Sequence, residues 1–318
     1  MRVLVVTTSY PSREGDPAGH FVATEVAALG RAGHAVEVIA PGPSRVHAGV
    51  TVVGLGAADA FGWPGALARF RERPIRAVAA AGFIARAQRA VASRPHDRIV
   101  AHWLLPAAWP IARASSAPLE VVAHGSDVRL LARVPRPLAR GLLAALLSRG
   151  ASLRCVSREL ADLLVAIDPR VAERLHVQAA AIDTSGVPDR VRARALLGVR
   201  EAERLIVLAG RLVPGKRFDT ALTAAELVPG ARVVVLGDGP EAAALRERFP
   251  GARFLGLLPR ARALAWIAAA DLVLSTSRLE GAPTLVREAR ALGVPVVSAR
   301  AGDLASWAEL DPELWVVG

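Results

Sequence analysis

The sequence predicts an α/β protein with parallel sheets, divided between two domains. Three observations carry this reading. The chain has 318 residues, enough for two separate cores. Its hydrophobic content of 53% excludes a disordered chain. Short apolar runs of strand length alternate with segments of helical period.

The first half starts with residues 3–8, a buried strand. Thr7-Thr8-Ser9-Tyr10-Pro11 opens a loop that runs to Gly19-His20. Residues 21–31 are amphipathic at helical spacing through Phe21, Val22, Val26 and Leu29, and Gly33 stops the helix. Residues 36–40 form the next strand. Strand, loop, helix and strand in that order make a parallel pair with a right-handed crossover. Trp63-Pro64-Gly65 is followed by a helix dotted with Arg69, Arg71, Arg73, Arg76, Arg86 and Arg89. Such a helix is ordinarily a solvated face; beside Phe70, Phe83 and Ile84 it would also suit an anionic acceptor or a membrane surface. Residues 99–103 run from strand into loop, where His102 and Trp103 either line an acceptor wall or pack as core. Residues 119–123 are a strand with His124-Gly125-Ser126-Asp127 at its carboxyl end, a gathering of small and polar residues that suits a ligand site. Residues 152–157 form another strand, and Arg158 opens a helix. A short strand and an irregular polar stretch at 176–189 mark the linker, which gives domains 1–180 and 181–318.

In the second half, residues 205–209 are a strand ending in Gly210-Arg211-Leu212-Val213-Pro214-Gly215-Lys216-Arg217. Gly210 to Lys216 fits the spacing of a P-loop. Arg217 stands where a magnesium-holding Ser or Thr is needed, and Pro214 removes a cradle N–H, so a different phosphate contact is favoured. Residues 232–236 are a strand ending in Gly237-Asp238-Gly239-Pro240-Glu241, residues 253–256 a short strand, and Trp266 a core residue of the next helix. Residues 271–275 form a strand. Pro283 then takes the first position of a helix that Gly293 and Pro295 end, and residues 294–297 return as a strand. The amides of residues 282–285 face outward at a strand's carboxyl end, which favours an anion. Glu280 precedes that helix and Glu288 lies in its second turn. Carboxylates do not bind phosphate, so their partners are hydroxyls, such as those of a ribose or a sugar.

Composition narrows the function. The lone cysteine, Cys155, excludes a disulfide framework and a cysteine zinc site. No apolar run reaches the length of a membrane span, and the first residues read as a strand, not a signal peptide. A soluble cytoplasmic enzyme is the expectation. The net charge is +11, yet Lys216 is the only lysine and no compact basic tract is interleaved with aromatics, which argues against nucleic acid.

Glu280, seven residues and Glu288, set between "DLVLSTSRLEG" and "EARALGVPVVSARAGD", resemble the E-x7-E signature of the retaining glycosyltransferases of family 4. That resemblance implies the GT-B fold, two Rossmann-like domains facing a central cleft, and it covers nearly the whole chain, more loosely before residue 205. It implies transfer of a hexose from a UDP- or GDP-linked sugar to a glycan or lipid acceptor of the cell envelope, cytoplasmic or peripheral at the inner face of the membrane. Arg211 and Lys216 would clamp the diphosphate, with Gly281, Ala282, Pro283, Thr284 and Leu285 around it. Glu288 would hold the ribose and Glu280 the transferred sugar. Gly237 and Leu255 would lie near the nucleotide, Gly19 would approach the donor, His124 would contact a sugar hydroxyl, and Asp127 would serve the acceptor side or orient the histidine. No cofactor is implied. No Asp-x-Asp motif is present, which fits transfer without a metal. Family members usually continue beyond the point matching Gly318, so the second domain is expected to be shortened. A non-catalytic nucleotide- or glycan-binding relative is the alternative; a pyridoxal-type phosphorylase is disfavoured, because only Lys216 could anchor that cofactor.

Overall fold

The computed structural model describes residues 1–13, 15–16, 18–61 and 66–318; the Trp63-Pro64-Gly65 segment lies outside the described residues. The chain divides into two compact units, Met1–Ala181 and Ile182–Gly318.

The first unit is one eight-stranded sheet in the order β3-β4-β2-β1-β5-β6-β7-β8. Its strands are β1 (Arg2–Val6), β2 (Ala35–Ala40), β3 (Arg45–His47), β4 (Val50–Gly54), β5 (Arg98–His102), β6 (Leu119–Ala123), β7 (Ser152–Cys155) and β8 (Leu175–Val177). The expected β1–β2 pair is parallel, with Val3 opposite Val36, and the helix between them is His20–Arg31. Among the described strands β3 and β4 alone pair antiparallel, as a hairpin turned at Ala48 and Gly49, both at positive φ. Strand order reverses between β1 and β5, so their carboxyl-end loops diverge and leave the crevice where such sheets bind ligands.

The arginine-dotted region forms two helices, Ala66–Glu72 and Arg76–Ser93. Arg69 and Arg76 both pair with Asp59, Arg76 also pairs with Glu72, and Arg86 donates to the Leu55 carbonyl. Phe83 is buried against Phe61. Half of the six arginines and the aromatic ring thus serve the unit's own packing, and Arg71, Arg73 and Arg89 remain exposed. Among the described residues no helix is long and apolar enough to cross a membrane.

The second unit is a six-stranded parallel sheet in the order β11-β10-β9-β12-β13-β14. The strands are β9 (Arg204–Ala209), β10 (Ala231–Leu236), β11 (Arg253–Gly256), β12 (Leu272–Ser275), β13 (Val296–Ala299) and β14 (Leu314–Val317). Successive residues of β9 enter opposite cores. Leu205 and Val207 pack with Val234, Val273, Val286 and Trp266; Ile206 and Leu208 pack with Phe218, Leu222 and Val235. Burial on both faces explains why these strands read as continuous apolar runs. Order reverses between β9 and β12, which sets the second crevice.

Arg194, on the helix Arg190–Leu197, ties that helix to the sheet and is 1% exposed. Its guanidinium donates to the carbonyls of Ala269 (3.0 Å), Arg200 (2.9 Å), Glu201 (2.9 Å) and Glu203 (3.1 Å), and to Asp271 Oδ2 (2.6 Å). Burial pushes the Asp271 carboxyl up, but the Leu205 N–H and the guanidinium groups of Arg190 and Arg194 outweigh it and hold the group below its ordinary value. A buried charge so fully bonded is expensive to unpair. Arg194→Leu is expected to lower unfolding free energy by about 3–5 kcal/mol in urea. Exposed Arg192→Ala should change it by less than about 0.5 kcal/mol; equal effects would refute a special role for Arg194.

Candidate functional site

At the carboxyl edge of the second sheet, main-chain bonds zip successive loops together. Gly210 N–H donates to Leu236 O (2.9 Å), Leu212 N–H to Asp238 O (2.9 Å), Glu241 N–H to Leu212 O (3.1 Å), and Gly237 N–H to Gly256 O (2.8 Å). Gly237 has φ +123°, and a Cβ there would lie 1.9 Å from Gly210 O; a Cβ on Gly239 would lie 2.4 Å from Leu212 O. Glycine at both positions is what allows the two loops to touch.

The β12 loop joins the same assembly. Arg278 N–H donates to Gly215 O (3.0 Å), and the Thr276 hydroxyl bonds the carbonyls of Lys216 (3.0 Å) and Arg217 (2.6 Å). Residues Pro214–Lys216 form a single 3₁₀ turn, and the helix Phe218–Glu226 starts only after left-handed Arg217 (φ +51°). Arg217, in place of a Ser or Thr, directly follows Lys216 and lies outside the helix, so the run is not built as a P-loop. Lys216, Phe218, Ser275, Thr276, Ser277 and Leu285 line a shallow pocket at the switch point.

From this pocket wall, Lys216 Nζ forms an ion pair with Glu280 Oε1. The sequence reading gave these residues separate ligands; the fold pairs them with each other. Gly302, at φ +52°, packs so tightly that a Cβ would lie 2.6 Å from Gly281 O and 3.1 Å from Glu280 O, so the β13 loop fixes the turn that carries Glu280. The next helix is Thr284–Ala291, one residue shorter than expected: Pro283 is its N-cap at φ −62°, ψ 111°. An extended ψ places Pro283 outside the helix, while its carbonyl still accepts from Arg287 N–H (3.2 Å). The first-turn amides of Thr284, Leu285 and Val286 have no i−4 carbonyl within the helix, which makes this end a seat for an anion. Buried Glu288 pairs through Oε1 with Arg260 Nη1 at 2.8 Å. Arg211 is exposed beside this assembly, and Leu255 lies on edge strand β11.

The first unit carries a second cluster at the ends of β5 and β6. His102 is fully buried and His124 partly so; their rings stack at 5.2 Å, with His102 Nδ1 2.9 Å from His124 Nε2. Phe21 and Trp103 flank His124 at 4.8 and 4.9 Å. Trp103 sits at φ +79°, a strained region for a bulky residue. With Nε2 committed to His102, Nδ1 is the nitrogen His124 can offer a ligand. Of the two roles expected for Asp127, contact with the acceptor or orientation of the histidine, its contacts serve the second. It is 4% exposed, and its oxygens accept the N–H groups of Leu104 (2.9 Å), Gly125 (2.9 Å) and His124 (3.2 Å). It orients the histidine through the backbone. Gly19, at φ +69°, approaches Ser9 O, 2.4 Å from where its Cβ would stand.

Burial, reinforced by Arg154, pushes the His102 imidazolium down to about 3, and burial, His102 and Arg154 hold His124 well below its ordinary 6.5. Both rings are therefore neutral at pH 7. As pH falls through 6.5 the unfolded chain takes up protons that the folded pair refuses. Stability is complete above that pH and should fall below it, by about 1.4 kcal/mol per pH unit for each histidine. Urea unfolding at pH 7 and pH 5 tests this, and His102→Phe should flatten the pH slope; an unchanged slope would remove the pair from the account.

Sequence reasoning missed Arg260, Gly302 and the His102–His124 bond. Arg260 alone carried a signal, since an arginine opening a helix opposes the helix dipole.

Residues 203–313 match the family described as glycosyl transferases group 1. The chain is 30% identical over 218 residues to the putative teichuronic acid biosynthesis glycosyltransferase TuaC of Bacillus subtilis, covering 66% of this chain and 54% of that one. It is 33% identical over 165 residues to the D-inositol 3-phosphate glycosyltransferase of Mycobacteroides abscessus, covering 46% and 36%. The chain thus spans between a third and just over half of these relatives. Among solved structures, sucrose-phosphate synthase from Thermosynechococcus elongatus superposes with a TM-score of 0.78 at 16% identity, over 99% of this chain and 85% of that one. Anabaena HepE in complex with UDP gives 0.69 at 20%, over 100% and 85%. Two Rossmann-like sheets with these neighbours give the GT-B fold class.

Proposed function

We propose that this protein is a retaining glycosyltransferase that moves a hexose from a nucleoside-diphosphate donor to a hydroxyl of a glycan or lipid-linked acceptor. One observation carries the reading. Lys216, Glu280 and the amide-lined start of Thr284–Ala291 converge at the switch point of a sheet whose residues match glycosyl transferases group 1. The structures of HepE with UDP and with UDP-glucose support a uridine-linked donor, with a GDP-linked one as the second choice. The name of TuaC, which places that relative in teichuronic acid biosynthesis, supports a glycan acceptor of the cell envelope.

In this reading the second unit binds the donor. Glu288 accepts hydrogen bonds from the ribose, the β11 backbone near Leu255 meets the base, and Gly237 lets the nucleotide approach. Glu280 accepts from hydroxyls of the transferred sugar. The hard step is departure of the diphosphate, because charge builds on its oxygens as the bond to the anomeric carbon breaks. Lys216, Arg211 and the main-chain N–H groups of Gly281, Ala282, Thr284 and Leu285 favour that charge more in the transition state than in the bound donor. The arriving diphosphate competes with Glu280 for Lys216, which loosens Glu280 toward the sugar. The first unit serves the acceptor side, where His124 would meet a sugar hydroxyl. The acceptor oxygen attacks from the face the diphosphate leaves and passes its proton to the departing phosphate oxygen, which retains configuration without a covalent nucleophile on the protein.

Calorimetric titration with UDP and GDP, without added metal, is the direct test. One of them should bind, and Lys216→Ala should abolish that heat. With the matching donor, Lys216→Ala should lower kcat by about 10²–10³, in line with loss of one transition-state donor, and the product should keep the donor's anomeric configuration by NMR. A well-folded protein that binds neither diphosphate would overturn the proposal, while binding without turnover on any acceptor would favour the non-catalytic relative.

A further inference from the structure

We infer that Arg260 is a positioning residue for Glu288, fixing its carboxylate to read the ribose diol of the donor; the inference rests on the assignment of Glu288 to the ribose made above. Arg260 Nη1 lies 2.8 Å from Glu288 Oε1, and Arg260 Nη2 lies 3.2 Å from the Asp183 carbonyl oxygen. A planar guanidinium held by two acceptors in different elements cannot pivot, and so it stops rotation of the carboxylate it holds. The second acceptor is main chain at the start of the second unit, so it is present whatever side chain stands at 183.

Burial makes the pair necessary. The Glu288 side chain is 8% exposed and that of Arg260 23%, and a carboxylate so enclosed needs a charged or hydrogen-bonding partner. The placement of Arg260 also breaks a local rule. It is the first residue of the helix Arg260–Ala269, whose first turn holds no acid. A cation there opposes the helix dipole, where Asp or Glu would stabilise it. Residues that break a local preference and satisfy a long-range contact instead are expected at functional positions. A lysine would neutralise Glu288 without fixing its plane, because its ammonium is a rotating point charge. Recognition of two adjacent hydroxyls needs the plane fixed: each O–H must donate to a carboxylate oxygen whose lone pairs are already aimed.

The test compares ribo- and 2′-deoxy forms of UDP and GDP by calorimetry on wild type, Arg260→Ala, Arg260→Lys and Glu288→Gln, with thermal melts for each. Wild type should prefer the ribonucleotide by about tenfold or more, the range of a hydrogen bond to a charged group. Arg260→Ala should bring that preference to within about twofold while leaving affinity for the deoxy form unchanged, matching Glu288→Gln. Arg260→Lys should retain part of the preference. If Arg260→Ala fails to fold, Arg260→Gln replaces it with the same expectation. An Arg260 variant that keeps the full preference, or weakens both forms equally, overturns the positioning role. A wild type that binds diphosphates with no ribose preference overturns the Glu288 assignment itself, and that failure shows before any variant is made.

Discussion

The second unit depends on one close approach of backbone to backbone. Gly237 passes Gly210 at a distance no side chain permits, and Gly239 does the same at Leu212. These contacts let the loops after β9 and β10 bond each other through main-chain groups, and Gly215 and Lys216 extend the bonding to the β12 loop. The ion pair between Lys216 and Glu280 follows from that zipper and not from any attraction strong enough to assemble it. A partly exposed pair contributes little by itself. Its geometry is inherited from the peptide groups beneath it. Main-chain bonds therefore hold the candidate site in place where the proposed diphosphate would sit, as electrostatic preorganisation requires.

Arginine in this chain is largely structural, although a net charge of +11 invites a surface reading. Arg194 is enclosed by four carbonyls and Asp271. Arg154, 6% exposed, lies between Glu25 on the helix His20–Arg31 and Glu120 on β6, and Arg98 extends the chain of charges through Glu120. Both networks fasten a helix to the face of a parallel sheet. Arginine suits this work because its planar fork keeps its charge and satisfies several acceptors at once.

Much of the fold was legible because it is local. The strand–loop–helix–strand order of residues 3–40 dictates a parallel pair, and β1 and β2 form one. Glycines 210, 237 and 239 stood in the sequence at the ends of strands. What they do, a contact between loops about 27 residues apart, was not legible, because sequence records a residue's freedom and not what it approaches. The boundary at Pro283 slipped by one residue, since proline's φ suits both the cap and the first helical position and only ψ separates them. The sequence left Asp127 open between acceptor contact and orienting His124; its burial under three N–H groups is a tertiary fact. The hairpin at Ala48-Gly49 has Gly in its second place but Ala where Asn, Asp or Gly is usual in the first. Arg260 meets Glu288 across 28 residues, beyond the reach of any motif.

Lys216 is the only lysine of the sequence, and its side chain is a quarter exposed beside Glu280. Amine-directed acylation of this chain can therefore modify a single side chain, and that side chain stands in the candidate site. Reactivity at one ammonium becomes a gauge of occupancy, read by mass alone: whatever covers the pocket protects the only amine there is to label, apart from the α-amino group. An arginine-for-lysine composition, unremarkable as a surface property, leaves the molecule with a built-in chemical reporter.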